Sequence, residues 1–277
     1  MVETKRQKNV RTLETSIELD ASIEDVWKAL TEPEELVRWF PLEAGRNPDG
    51  SLWMSWGGGQ KFSGEVPLSE PPHRLRAVHR QPPPGRDPAS VPPEEFAEIA
   101  TEYSLESERG KTILRVVDSG FGPEEEWDEL FDATASGWRV ELRGLRHYLE
   151  HHHGRDRRVA WARRAISCTR EQAWDRMMSR DGLLAEGNLD RLSEGDDYAF
   201  TAATGDRFEG VVQLYMPPSN FVASMKGLNN ALLRVRLEEF GRREAQVWLS
   251  TYEVEPSEVD AFQARWDQRL ERLFPEV

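Results

Sequence analysis

Polar and apolar residues alternate along the first ordered-looking stretch. Leu13, Thr15, Ile17 and Leu19 fall on one side and Thr12, Glu14, Ser16 and Glu18 on the other, the period of a strand with one buried face. At Ser22 the period changes: Ile23, Val26, Trp27 and Leu30 recur at helical spacing, with Ser22 placed to cap and Asp25 three residues later. Pro33 interrupts this helix and opens a second, short one through Trp39-Phe40, which Pro41 stops. Strand signals then dominate from residue 51 to 117, broken by Gly57-Gly58-Gly59, by Ser69-Glu70-Pro71-Pro72, by a proline-rich stretch and by Arg109-Gly110. This pattern predicts an antiparallel meander. From Glu124 the helical period returns, with Trp127, Phe131, Trp138, Leu142, Leu145 and Leu149 on one stripe of a long helix whose acidic first turn suits the helix dipole.

The second half restarts the same programme. Val159–Ile166 reads as a strand, Glu171, Trp174, Met177 and Met178 begin a helix, several strands fill 197–252, and Val259, Phe262, Trp266, Leu270 and Leu273 mark a terminal helix. Trp27 corresponds to Trp174 and Trp138 to Trp266, offsets of 147 and 128, so the second copy is 19 residues shorter. The difference is assigned to residues 81–96, which hold six of the 17 prolines and read as an inserted loop. The expected architecture is α+β: two tandem domains, 1–153 and 154–277, joined across the polar run Glu150–Arg158.

Composition narrows the function classes. The chain has 277 residues, a net charge of -14 and a single cysteine, Cys168. One cysteine excludes an intrachain disulfide and thiolate metal clusters. The acidic balance opposes nucleic acid as a partner, and no apolar run is long enough for a membrane span. With no apolar segment after the basic N-terminal residues, which read as a loose tail, a cytoplasmic location is expected. The first copy is the acidic one, carrying -11 over residues 1–150 against -3 over 151–277.

The segments "SIELDASIEDVWKALTEPEELVRWF" (16–40), "TILRVVDSGF" (112–121) and "GWRVELRGLRHYLE" (137–150) give the first copy a resemblance to the START-like, or SRPBCC, superfamily. Within it the pattern most resembles the activator of heat-shock-protein ATPase homologue family. The resemblance implies a helix-grip fold, a curved antiparallel sheet wrapped around a long C-terminal helix with an apolar cavity between them. It implies no single activity, since such folds serve as lipid carriers, hormone receptors, polyketide cyclases and co-chaperone modules.

The residues expected to face a cavity are Phe40, Trp53, Met54, Trp56, Phe62, Phe131, Trp138 and Leu142 in the first copy, with at most one of Trp53 and Trp56 turned inward. In the second they are Met178, Phe200, Phe208, Leu214, Met225, Trp248, Phe262 and Trp266. The alternative is that these side chains simply fill two cores. His73 and His79 are expected on one strand face at the pocket rim, Asp118 and Glu102 on neighbouring strands, and the second copy from 154 onward has no histidine. Consecutive His151–His153 cannot converge on a metal without other partners, and Cys168 reads as an inert, buried thiol. The glycine run 57–59 lacks the lysine–serine ending of a phosphate loop and reads as a hairpin turn. The leading expectation is non-catalytic binding of a small apolar or amphipathic molecule, without metal or cofactor. A protein-interaction or co-chaperone-like module engaging a protein client is the alternative, and a cyclase or hydrolase the third. One copy could keep a cavity while the other is a packed scaffold.

Overall fold

The computed structural model describes residues 10–57, 61–189, 192–238 and 243–275. The expected N-terminal tail and Gly58-Gly59 lie outside them. The first copy runs β1 (Arg11–Leu19), α1 (Ile23–Thr31), α2 (Pro33–Leu36), β2 (Glu43–Arg46), β3 (Leu52–Ser55), β4 (Phe62–Glu70), β5 (Arg74–Gln81), β6 (Ala97–Glu108), β7 (Lys111–Phe121) and α3 (Asp128–His151). The second runs β8 (Arg157–Ala165), α4 (Arg170–Met177), β9 (Glu186–Gly187), β10 (Asp197–Thr201), β11 (Arg207–Met216), β12 (Asn220–Met225), the single turn α5 (Gly227–Asn230), β13 (Ala231–Glu238), β14 (Glu244–Tyr252) and α6 (Pro256–Leu273). Each copy forms one seven-stranded antiparallel sheet, ordered β1-β7-β6-β5-β4-β3-β2 and β8-β14-β13-β12-β11-β10-β9. The chain therefore holds two tandem helix-grip domains.

Local chemistry sets the element ends. The Ser22 hydroxyl accepts from the Asp25 N–H at the start of α1, and Thr169 with Gln172 closes a reciprocal capping box on α4. The second short helix ends at Leu36 rather than running on to Phe40, and His73 lies in the turn before β5, not on the strand with His79. The proline-rich stretch is the β5–β6 connection, with two short 3-10 turns at Pro88–Ser90 and Pro93–Glu95. Its counterpart between β12 and β13 spans only 226–230 against 82–96, so ten of the 19 residues separating the copies are found there.

The two sheets repeat residue for residue in their middle strands. Phe62-Ser63-Gly64-Glu65-Val66-Pro67-Leu68 and Phe208-Glu209-Gly210-Val211-Val212-Gln213-Leu214 stand 146 apart, as do Pro71-Pro72 and Pro217-Pro218. Gly64 and Gly210 serve the same purpose, because a Cβ would meet the Val78 carbonyl oxygen at 3.2 Å in one sheet and the Ser224 carbonyl oxygen at 2.0 Å in the other.

By their contacts the residues divide into two compact units at a point inside α3. Residues up to Leu36 group with Pro41–Trp138, and Val37–Phe40 group with Arg139 onward. The second sheet is consequently covered on both faces. On the inner face α6 lies close along β8. On the outer face Val140 packs with Leu214, Val222 and Leu232, and Glu141 forms a buried ion pair with Arg234 at 2.9 Å. Double cover explains why every residue of β12 is buried, with no polar-out alternation.

Further along α3, the His147 Nε2–H donates to the Asn230 carbonyl at 2.8 Å, the His152 Nε2–H donates to the same oxygen at 3.0 Å, and Gln213 donates to His147 Nδ1 at 3.1 Å. These bonds fix a neutral imidazole. Burial pushes His147 down to about 3, with the His152, His151 and Arg234 charges acting in the same direction and the Asn230 carbonyl opposing them.

Two predictions follow from this docking. A Cβ on Gly144 would lie 1.9 Å from Arg234 Nη2, whereas one on Gly137, in the same helix, meets nothing within 4 Å. Urea unfolding should show Gly144→Ala destabilised by about 1–3 kcal/mol and Gly137→Ala unchanged or stabilised by up to about 1 kcal/mol; equal effects would contradict the close approach. For His147 the unfolded chain titrates near 6.5 and the folded one well below. Stability is then untouched above that value and falls as pH drops from there toward 3, by up to ~1.4 kcal/mol per pH unit for one proton. His147→Gln, which keeps a donor for Asn230, should flatten that fall; an unchanged slope would refute the assignment.

Candidate functional site

Strand register fixes which residues share the concave face of the first sheet. Leu13, Thr15 and Ile17 pair with Asp118, Val116 and Leu114; Thr101 and Tyr103 pair with Asp118 and Val116; Ala77 and Leu75 pair with Thr101 and Tyr103. Since side chains alternate, Leu75, Ala77 and His79 of β5, Thr101 and Tyr103 of β6, and Asp118 of β7 all project to one side. The first half of α3 lies on that side. The Trp138 indole N–H donates to Asp118 Oδ2, and the Trp138 ring meets Tyr103 edge-on at 5.9 Å. Phe131 meets Phe121 edge-on at 5.3 Å, and Ile99, Phe121 and Trp127 form a small buried cluster.

This face retains contact with solvent. Residues 133–138 of α3, Thr15, Ala77, Thr101 and Tyr103 are half-buried, and His79 is exposed. Phe62, on β4, is 56% exposed and Val66 41%. Their counterparts in the second sheet, Phe208 and Val212, are 0% and 1% exposed and belong to the inner core. The comparison extends across the strands by register. Met54 pairs with Phe62 as Phe200 pairs with Phe208, and the row Ala77–Thr101–Asp118 matches Ala223–Leu233–Leu249. On the alignment set by Trp138 and Trp266, Thr134 stands where the second copy has Phe262.

Electrostatics distinguishes the polar members. Asp118 is 2% exposed, and burial pushes its carboxyl above the usual range against the opposing pull of hydrogen bonds from Thr101 and Trp138 and the nearby His79 charge. Burial pushes His79 down, with Gln81 and Asp118 acting the other way. The Tyr103 phenol is raised by burial and by Asp118.

Of the residues expected to line a cavity, Met54, Trp56, Phe62, Phe131 and Trp138 belong to the first unit; Met54 and Phe62 are directly paired, and Trp56 meets Phe62 edge-on at 5.8 Å. Phe40 is corrected: it stacks on Trp39 at 4.9 Å, among residues that group with the second unit. Leu142 is corrected likewise, being buried in the half of α3 that groups with the second unit. Trp53 is held under Lys61 at 3.8 Å and over Gly45.

In the second copy Phe200, Phe208, Phe262 and Trp266 pack on one another, with Phe200–Phe208 centroids 5.1 Å apart and Phe262–Trp266 6.1 Å apart, and fill the interior together with Met225. Trp248 and Leu214 are on the sheet's other face. Trp248 adjoins Trp161 and Arg157, and Leu214 packs with Val140. Met178 is partly buried against the inner core.

Glu102 points away from Asp118 and pairs with Arg76 at 3.3 Å. Cys168 is half-buried. Among the described residues no three His, Cys, Asp or Glu side chains converge as a metal site, and no helix is long and apolar enough to cross a membrane. Thr101 and Tyr103 were not among the expected site residues. The signal for them is their odd-numbered place on β6, opposite Asp118 and Val116.

Residues 20–150 match the model of the family described as Activator of Hsp90 ATPase homolog 1-like protein. Similar solved structures include protein MLL2253 of Mesorhizobium loti, 22% identical with TM-score 0.43, over 51% of this chain and 98% of that one. The Aha1 dimer of Colwellia psychrerythraea is 20% identical with TM-score 0.41, over 52% and 99%. The di-domain ARO/CYC BexL from the BE-7585A biosynthetic pathway is 15% identical with TM-score 0.43, over 95% of each chain. No curated protein matches the sequence. Over residues 20–150, rather less than half of its length, the chain is similar to the Activator of Hsp90 ATPase homolog 1-like family, and both copies have a helix-grip fold.

Proposed function

We propose that the protein binds a small apolar or amphipathic molecule between the concave face of the first sheet and the first half of α3, without a chemical step, and that the second domain is a packed scaffold. As segments of chain we assign the two copies to 1–153 and 154–277. The observation that carries the reading is the contrast at matched positions. Phe208, Val212 and Met225 are buried in the second core, while Phe62, Val66 and His79 are exposed in the first. Exposed aromatic and branched side chains on a concave face lose free energy to water that a ligand would restore, at roughly 25 cal/mol per Å² of apolar surface covered. The walls for such a ligand are Met54, Trp56, Phe62, Tyr103, Phe131 and Trp138.

Native mass spectrometry of the purified protein, compared with its denatured mass, tests this. A discrete added mass lost on denaturation, or saturable binding of a naphthalene-sized fluorescent probe, is expected, with one molecule bound per chain. Ala77→Phe, which adds a ring to the floor of the concave face, should cut that binding at least tenfold while leaving the circular dichroism spectrum unchanged. A bare native mass together with no probe binding would overturn the reading.

A further inference from the structure

Across three adjacent strands the open face of the first domain carries polar side chains where the second core has apolar ones. Asp118, Thr101 and His79 occupy the positions of Leu249, Leu233 and Met225. Packing alone is satisfied by leucine and methionine there, as the second copy demonstrates, whereas a carboxylate withdrawn from water costs stability unless it is fully hydrogen-bonded. Asp118 is not fully bonded. Oδ2 accepts from Trp138 and the Thr101 hydroxyl also acts on the carboxyl, but Oδ1 is shielded from solvent and meets no donor in hydrogen-bonding geometry among the described residues. The half-buried rings of Tyr103 and Trp138 stand beside it, and the exposed His79 lies on the same face two strands away, one step along from the row Ala77–Thr101–Asp118.

We propose that Asp118, with His79 on the same face, is the polar anchor of this cavity and selects a ligand that carries a hydroxyl at one end of an aromatic or alicyclic body. The hydroxyl donates to Asp118 Oδ1 and accepts from the His79 ring N–H, so both halves of its bonding capacity are met. The side chains around Oδ1 shift to admit it. An ether or a bare hydrocarbon of the same shape leaves Oδ1 unpaired. This inference rests on the ligand-binding reading above and adds to it the class of ligand and the residue that discriminates.

The test measures dissociation constants of 2-naphthol, 2-methoxynaphthalene and naphthalene for the full chain and two variants. The native protein is expected to prefer 2-naphthol over 2-methoxynaphthalene by about tenfold or more, the value of one hydrogen bond to a charged group. Asp118→Asn keeps an acceptor for Trp138 but sets an amide donor against the hydroxyl, and should reduce the preference to less than about threefold on the same scale. Asp118→Leu, which installs the residue of the second copy, should bind naphthalene at least as tightly as the native protein does and show no preference for the hydroxyl. Equal affinity for 2-naphthol and its ether in the native protein, or a preference that survives in both variants, overturns the anchor and leaves the cavity standing. Failure of all three compounds to bind the native protein overturns both.

Discussion

A concave seven-stranded sheet presents every second side chain to a single helix, and that helix must supply enough volume to keep water off the surface. The whole molecule turns on whether it does. In the second domain it does: Phe262 and Trp266 of α6 reach Phe208, and Phe200, Tyr198 and Phe221 close the remainder, so that the inner face is dry. In the first domain Thr134 replaces Phe262 on the helix, Met54 replaces Phe200 on the sheet, and the face stays wet. Identical topology therefore yields a buried aromatic core in one copy and a partly exposed concave face in the other, and the difference lies in a few side chains.

Charge follows the same division. Buried ionisable groups in the second domain are matched by protein partners: Arg234 by Glu141, and His147 and His152 by the Asn230 carbonyl. These contacts attach the second half of α3 to the outside of the sheet, although Arg234 Nε and Gln213 Oε1 are left buried without a hydrogen bond among the described residues. Asp118 also has one oxygen without a hydrogen bond among the described residues, but it stands on the partly exposed face of the first domain, where the second copy has Leu249. A buried polar atom left over in a domain that is also left open is the kind of mismatch that a ligand resolves.

Much of this was legible in the sequence, and what was not has identifiable physical causes. Alternation over 12–19, the Ser22 cap, the stripe from Trp127 to Leu149 and the repeat of Trp27 and Trp138 at Trp174 and Trp266 predicted the strands, helices and two-copy order, because those patterns are local. Phe40, Leu142 and Trp248 were misplaced because their faces depend on tertiary partners. Periodicity puts Leu142 on the same stripe as Trp138 but cannot tell that α3 changes the unit it contacts between Trp138 and Arg139. Trp248 lies in a strand buried on both faces, where alternation disappears and inward cannot be told from outward. The Phe-x-Gly-x-Val-x-Leu repeat in β4 and β11 was readable without a structure and would have aligned the copies residue by residue. Even so, only the observed exposure of Phe62 against Phe208 reveals that equivalent positions have opposite fates.

The central claim is that one domain is open and the other filled, and the most direct test is a crystal of the full chain soaked with 1-iodonaphthalene and measured for anomalous scattering. The account predicts one iodine peak in the first domain, bounded by Tyr103, Phe131 and Trp138, and none among Phe200, Phe208, Phe262 and Trp266. A peak within the second core, or an empty first domain at saturating soak, would contradict it.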